Sequence, residues 1–270
     1  MDDLKRHYEI ETALARRLAD SSREERRDLY SWAYDELFEK VSDHPLLAPV
    51  SKSAKAKRIA KAIGNLEPLL QKDAVYLEVG SGDCEVAAAV AKLVKKAYAM
   101  DVSKVIASGM EEISNLEVII TDGITIPVPE GSIDIAYSDQ LMEHLHPDDA
   151  LAQLKNIFSV LKPGGSYLCV TPNRLSGPHD VSRTFDGVAT GLHLKEYSIS
   201  ELLEIFEEVG FTNVRLLLAY SGYSISPPVS LLTAVERILD RLPHSLRKFL
   251  TFNRAVRFVL GIKLLGDKPR

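Results

Sequence analysis

The chain is short of several features that would settle its class at sight. Among 270 residues there are two cysteines and one tryptophan, and no apolar run comes near the roughly 20 residues that a membrane-spanning helix requires. Cys84 falls in a glycine turn and Cys169 inside an apolar run, which excludes a disulfide framework. Met1-Asp2-Asp3 opens a charged helical stretch rather than a leader that is basic and then apolar, so a cytoplasmic location is expected. Repeats and low-complexity tracts are missing as well. A large excess of one charge is also lacking: 33 basic against 38 acidic side chains give a net charge of -5, which speaks against a general nucleic-acid binder. The balance is uneven, however. Residues 241–270 hold eight basic groups and one acidic group, against 25 and 37 in the rest, so the tail suits an acidic partner or an anionic surface.

What is present is enough apolar material for a full core, 46% of the residues. From Leu4 to about Val41, Leu14, Leu18, Leu29, Trp32, Ala33 and Leu37 recur at helical spacing among charges. Ser21-Ser22 ahead of Glu24-Glu25 is a capping start for the second of two helices, which Asp43-His44-Pro45 and Pro49 end. Tyr30 and Tyr34 either reach inward from this cover or simply pack on the domain. A basic helix follows over 52–63, its lysines and Arg58 read as a solvated face. Strands are then expected at 75–79, 97–100, 117–120, 133–137 and 166–171, with helices at 84–94, from Ser103, and at 147–161. Strand, helix and strand in repetition mean parallel pairing with right-handed crossovers, an α/β doubly wound sheet. An irregular stretch over 172–197 has the length of a binding loop or lid, and a helix at 200–209 and strands near 213–218 follow it. The expected division is a helical cover over 1–70, the sheet domain over 71–220 and a basic amphipathic extension over 221–270.

The apolar run 75–79 passes without a spacer into Gly80-Ser81-Gly82, and an Ala/Val-rich helix comes next. Such a turn lets backbone N–H groups and a helix N-terminus approach a ligand. A dinucleotide turn wants a third glycine; here Asp83-Cys84-Glu85 stands instead, and a pyrophosphate would meet two carboxylates. Glu78, two residues before the first glycine, suits a cationic or amino-bearing ligand. Asp101 ends the next strand, where a carboxylate can accept both hydrogens of a ribose diol or cap the helix near Ser103.

Glu78, Gly80, Gly82 and Asp101 together resemble the first motif of the class I S-adenosylmethionine-dependent methyltransferases, with a departure at Cys84, where the third glycine would fall. Asp122-Gly123, the stretch Gly-Ser-Ile-Asp-Ile-Ala-Tyr-Ser-Asp-Gln-Leu-Met-Glu-His-Leu over 131–145, and Leu161-Lys162-Pro163-Gly164-Gly165-Ser166 resemble later parts of the same family. So does His193-Leu194-Lys195-Glu196-Tyr197-Ser198 ahead of a helix closing in Gly210-Phe211. The resemblance implies a Rossmann-like, mostly parallel seven-stranded sheet with S-adenosylmethionine as cofactor, bound by Glu78, Gly80, Ser81, Gly82, Asp101, Val102, Asp122, Gly123 and Ser138. Asp122 would hold the adenine amino group and Gly123 admit the ring; a turn-forming Asp-Gly is the other reading of that pair.

Methyl transfer asks a protein for alignment and, where the acceptor is a hydroxyl, for a base. His144, His193 and His179, with His146, are the candidates, since imidazole titrates near neutral pH. His144 lies beyond the fourth strand, where packing and catalysis are both open to it; His193 either binds acceptor or anchors the lid. Glu143-His144 also resembles the end of a Glu-x-x-Glu-His run of quinone-biosynthesis O-methyltransferases, but Gln140 replaces the first Glu and no metal is expected. No Asn/Asp-Pro-Pro-Tyr amino-methylation motif follows the fourth strand, so O-methylation of a small molecule of sugar, lipid-linked or natural-product type is the expected reaction. Two rivals stand beside it, a nicotinamide-dependent oxidoreductase and a non-catalytic cofactor-sensing or assembly protein. In the tail, Leu246, Phe249, Leu250, Val256, Val259 and Leu260 share one helical face, with Arg247, Arg254 and Arg257 on another. That face meets a membrane surface and a lipid-linked acceptor, or it covers the domain or a second subunit of a homodimer.

Overall fold

The computed structural model describes residues 2–44, 47–48, 50–103, 113–220 and 223–270. Two long helices, α1 (Asp2–Ala19) and α2 (Arg23–Lys40), precede α3 (Lys52–Leu66). The alternating part runs β1 (Val75–Val79), α4 (Glu85–Ala91), β2 (Lys96–Asp101), β3 (Leu116–Ile120), β4 (Ile133–Asp139), α5 (Pro147–Val160), β5 (Leu161–Thr171), α6 (Ile199–Val209) and β6 (Thr212–Leu216). A small hairpin, β7 (Leu218–Tyr220) with β8 (Tyr223–Ile225), leads to α7 (Val229–Asp240), α8 (His244–Thr251), α9 (Arg254–Leu260) and β9 (Ile262–Asp267).

Local chemistry sets most of these ends. Ser22 and Glu25 close a reciprocal capping box on α2, and Ser198 with Glu201 does the same on α6, which Gly210 terminates at φ +108°. Pro147 enters α5 at its first turn, where its missing N–H costs nothing. Helix α4 stops earlier than the expected residue 94 because Asn115 Nδ2 donates to the carbonyls of Ala91 and Val94 at 2.7 and 3.1 Å, giving the chain a way out. Strand β5 begins earlier than residue 166: its Pro-Gly-Gly stretch is carried across a register shift in the pairing with β4. The helix expected from Ser103 lies outside the described residues.

The strands form one sheet in the order β3-β2-β1-β4-β5-β9-β6, parallel from β3 to β5, with β9 antiparallel to both β5 and β6. Apolar side chains on both strand faces demand two covers. Helices α1, α2, α5 and α6 bury Leu14, Leu37, Leu154 and Phe206 against Leu77, Met100 and Tyr167 on one face. On the other, α3 and α4 bury Leu66, Val86 and Val90 against Tyr76, Ala97 and Leu168.

The sheet draws on residues beyond the expected boundary at residue 220. Strand β9, from the segment read as a separate extension, lies inside the sheet with Ile262, Leu264 and Leu265 buried. Six residues after a helix carry little periodic signal, and the pairing of β9 with β5 is a contact between distant parts of the chain. The single amphipathic face expected over 246–260 is likewise divided: α8 ends at Thr251, Leu260 is buried, and Phe249 is exposed.

Candidate active site

Strand order reverses about β1, and in such sheets the crevice outside the strands' carboxyl ends receives the ligand. The glycine turn is pinned there: Gly80 N and Ser81 N both donate to Met100 O, at 2.8 and 2.9 Å. Gly80 and Gly82 have φ of +72° and +52°. A Cβ on Gly80 would lie 3.0 Å from Leu141 Cδ1, whereas one on Gly82 would meet nothing within 4 Å. Cys84, at the place of the third glycine, itself holds φ +58°, a left-handed conformation that costs an L-residue about 1–2 kcal/mol. Its sulfur is buried 3.3 Å from Ser81 Oγ.

Asp101 Oδ2 accepts from Gly82 N at 2.8 Å and Oδ1 from Ser103 N at 3.0 Å, so it braces the turn as well as the segment after β2. Burial outweighs these bonds and raises its carboxyl above the ordinary range. Glu78 is buried, with Oε2 lacking a hydrogen-bond partner. Burial, then the charges of Asp139 and Asp83, push its carboxyl well up; Arg58, bound to Asp83 at 2.5 Å, opposes them only in part. The tip of β1 therefore gathers carboxyls that oppose the ionisation of Glu78 and leaves its Oε2 unmatched, so that a cationic donor placed there would favour the charged form.

Of the other expected cofactor residues, Val102 and Gly123 come together: a Cβ on Gly123 would be 3.0 Å from Val102 Cγ1 and 3.7 Å from Tyr30 Cδ2. Gln153 Nε2 holds the Gly123 carbonyl from α5. Asp122 is engaged in its own turn, Oδ1 accepting from Ile124 N and Thr125 N at 2.9 and 2.6 Å and Oδ2 from Thr125 Oγ1 at 2.8 Å. Burial works against ionisation, but these bonds and Arg27 win and lower its carboxyl. The Ser138 hydroxyl is fully buried and bonded to Tyr167 Oη at 2.7 Å, which leaves its backbone as the part at the strand end. Strand alternation turns it into the core rather than toward the crevice.

Beyond β4 and β5 a second group assembles. A single 3-10 turn (Met142–His144) brings Glu143 and His144 beside His193. The two imidazole rings meet edge to face, centroids 4.7 Å apart, and the ligand-type atoms of all three side chains lie within 4.8 Å of one another. His144 Nδ1 donates to Leu192 O at 3.1 Å. Burial, with His193 adding to it, lowers His144 to about 3, so it stays neutral. His193 goes the other way: burial alone would lower it, yet the 2.8 Å bond from Nδ1 to Glu196 Oε1 and the charge of Glu143 raise it. That bond keeps the hydrogen on Nδ1 and leaves Nε2 with a lone pair when the ring is neutral. Burial lifts Glu143 to about 7 against the pull of His193; Thr171 Oγ1 donates to its Oε2 at 2.8 Å, and Oε1 has no partner.

The structure does not bring every candidate to this group. The His179 ring is spent on loop contacts, Nε2 lying 3.0 Å from Ser176 Oγ and 3.2 Å from Asn173 O, while its backbone N–H donates to Glu196 Oε1 at 2.6 Å. Burial lowers it. His146 caps α5, its Nδ1 accepting from Asp148 N at 3.3 Å. A Cβ on Gly177 would crowd Glu196 Oε2, so a larger residue there would push that carboxylate aside.

The cover reaches both halves. Tyr30 donates to Asp149 Oδ2 at 2.8 Å and accepts from His146 N at 2.9 Å, and the buried Arg26 makes a two-pronged pair with the same carboxylate at 2.5 and 3.1 Å. The Tyr34 ring lies 6.1 Å from that of His144, and burial, then Asp101 and Glu143, keep its phenol protonated. Both tyrosines thus reach inward. Glu11 of α1 accepts from Leu192 N at 3.2 Å, next to His193. Sequence reasoning passed over Glu11, Glu196 and the Arg26–Asp149 pair; only Glu196 had a local signal, standing three residues after His193.

The glycine turn and the acids at the strand tips thus lie at the switch point of a parallel sheet, with an acid–base group beyond β4 and β5. The chain matches the methyltransferase-domain family over residues 52–216, and it belongs to that family, in the class I S-adenosylmethionine-dependent group. It is 32% identical over 101 residues to a probable S-adenosylmethionine-dependent methyltransferase of Mycolicibacterium smegmatis, 37% of each chain. A second such protein, from Mycobacterium tuberculosis, is 25% identical over 147 residues, 54% of this chain and 52% of that one. The chain thus spans about half or less of these relatives' lengths. The fold is similar to that of the complex between the Haloferax volcanii Trm112 methyltransferase activator and a methyltransferase (TM-score 0.56, 14% identity, 81% of this chain and 95% of that one). It is also similar to Haemonchus contortus phosphoethanolamine N-methyltransferase 2 with S-adenosylhomocysteine bound (TM-score 0.54, 15% identity, 78% and 53%). The oxidoreductase alternative falls with this family membership.

Proposed function

We propose that the chain transfers the methyl group of S-adenosylmethionine to a hydroxyl of a small-molecule acceptor, with His193 as the base. The bound cofactor supplies an activated methyl on a sulfonium. The unmatched Glu78 Oε2 and its acidic neighbours fit that group's positive charge. Gly80, Ser81 and Gly82 give backbone approach, Asp101 takes the ribose, and Val102, Asp122 and Gly123 border the base. Asp122 contributes through whatever lone pairs its turn leaves over.

The observation that carries the acceptor side is the His193–Glu196 bond beside Glu143 and His144. Glu196 orients the ring, and Nε2 would take the proton of an acceptor hydroxyl held beside it. His144 stays neutral and shapes the wall with Tyr34; His179 anchors the loop. An assay of S-adenosylhomocysteine release across sugar, phenol, lipid-linked and amine acceptors tests the reading. Turnover with hydroxyl acceptors that His193→Ala removes is expected. Turnover with amines alone would overturn the O-methyl reading, and cofactor binding with no turnover on any acceptor would favour a sensing role.

The C-terminal face supports a second element of this reading. Phe249 and Phe252 are 77% and 69% exposed, with Leu231, Ile238, Leu246 and Phe258 also exposed and Arg237, Lys248 and Arg254 among them. The helices that carry them rest on Leu175, which follows β5 at the acceptor end. We propose that this face docks on an anionic lipid surface, each basic group adding about 1 kcal/mol there, and so brings the cytoplasmic enzyme to a lipid-linked hydroxyl. No helix among the described residues is long and apolar enough to cross a membrane. Co-sedimentation with vesicles containing phosphatidylglycerol, but not with pure phosphatidylcholine, is expected, and Phe249→Asp with Phe252→Asp should abolish it. A homodimer in solution that buries these phenylalanines would overturn the lipid reading.

A further inference from the structure

Beside the acid–base group, a second set of titratable side chains converges where α1 begins and α2 ends. His7 and Glu11 stand one turn apart on the same side of α1, and His44 follows the end of α2. Glu11 Oε1 is 2.7 Å from His7 Nε2 and 3.7 Å from His44 Nε2. The three ligand-type atoms all fall within 4.8 Å of one another, and the two imidazole rings meet edge to face at 4.9 Å. All three side chains are largely shielded, with relative exposures of 14%, 8% and 9%.

Two imidazoles and a carboxylate converging on one point form a ligand set for a borderline transition-metal dication. Metal–ligand bonds of about 2.0–2.2 Å at tetrahedral angles put neighbouring ligand atoms roughly 3.3 Å apart, and the two observed separations lie on either side of that value. The carboxylate is already oriented from behind, since Leu192 N donates to Glu11 Oε2 at 3.2 Å. An outer partner of this kind accompanies metal-bound carboxylates. Gly191 lets that segment approach: a Cβ on it would be 2.6 Å from Glu11 Oε2. From these contacts we infer a binding site for a Zn²⁺-class dication made by His7, Glu11 and His44, with the remaining position taken by water. His7 turns its hydrogen to Nδ1 and offers the Nε2 lone pair. Mg²⁺ is disfavoured, because it prefers oxygen ligands in octahedral geometry.

Such a site has a structural consequence of its own. It would clamp the start of α1, the end of α2 and the Leu192 segment together, and His144 bonds the far side of the Leu192 peptide. The inference does not depend on which acceptor is methylated.

The test uses the full chain stripped with a chelator and titrated with Zn²⁺ by calorimetry and with Co²⁺ by visible absorption. One saturable equivalent is expected, weakened by about tenfold or more in His7→Gln and in His44→Gln and unchanged in His193→Ala. Binding that survives both cover variants, or that disappears in His193→Ala, would move the metal to the Glu143–His144–His193 group and overturn the site. A complete absence of saturable binding would overturn it too. A measurement on the unsubstituted chain guards against misfolded variants. Zn²⁺ should protect His7 and His44, and not His179, from diethylpyrocarbonate; equal modification with and without Zn²⁺ would also overturn the site.

Discussion

The two halves of the crevice are built differently. Its β1–β3 half is made from groups close together in the chain: Gly80, Ser81 and Gly82 lean on Met100, and Asp101 braces Gly82. The half beyond β4 and β5 draws Glu11 and Tyr34 from the cover, Glu143 and His144 from a turn, and His193 and Glu196 from a loop. In the first half the glycine turn is braced within about twenty residues, and long-range contacts such as that of Gln153 with the Gly123 carbonyl are added to it. In the second, His193 takes one raising influence from Glu196, three residues on, while Glu143 and His144 depend on neighbours that the chain supplies from farther away. Backbone turns can therefore serve a cofactor common to many proteins, while the assembled half is where an individual acceptor can be selected.

Substitutions can break this contrast or sharpen it. The largest effect is expected at His193. His193→Ala should lower kcat by about 100–10,000-fold, the usual contribution of a positioned base. The pH profile gives the sign: Glu196 and Glu143 hold His193 above its ordinary value, so the base is protonated and idle at low pH and activity rises as pH climbs through the raised pKa. Glu196→Gln removes one of the raising influences and should move that rise to lower pH. A profile that did not respond to Glu196→Gln would detach the dyad from the chemistry.

Next comes the seat of the cover. Asp149→Ala leaves the buried Arg26 guanidinium without its partner and should cost about 3–5 kcal/mol, read from urea unfolding. A loss below about 1 kcal/mol would be the cost of an exposed pair and would mean that the cover is held by apolar packing alone. The smallest of the three effects belongs to the local half. Asp101→Ala should weaken S-adenosylmethionine binding by about tenfold or more, one charged hydrogen-bond acceptor's worth, with kcat at saturation little changed. Unchanged affinity would remove Asp101 from the ribose.

How much was legible follows the same division. The capping box of α2, the closing Gly210 of α6 and the alternation from β1 to β5 could be read because each depends on residues within a few positions of one another. Cys84 stood out as a departure, and its positive φ confirms a glycine-like conformation there. The inward turn of the Ser138 hydroxyl could not be read, because the motif counts positions and not strand faces. Asp122-Gly123 kept two readings, and the turn bonds use much of the carboxylate. Strand β9 was invisible because both its partners, β5 and β6, lie far away in sequence.

By itself the amino-acid order determined the parallel sheet, the glycine turn and the acids at the strand tips, since strand period, turn chemistry and capping are short-range. Tertiary structure alone decided which histidine stands beside Glu143, which stays neutral and which merely ties down a loop. Those outcomes depend on burial and on charges a few ångströms away, and chain order does not specify what lies that close.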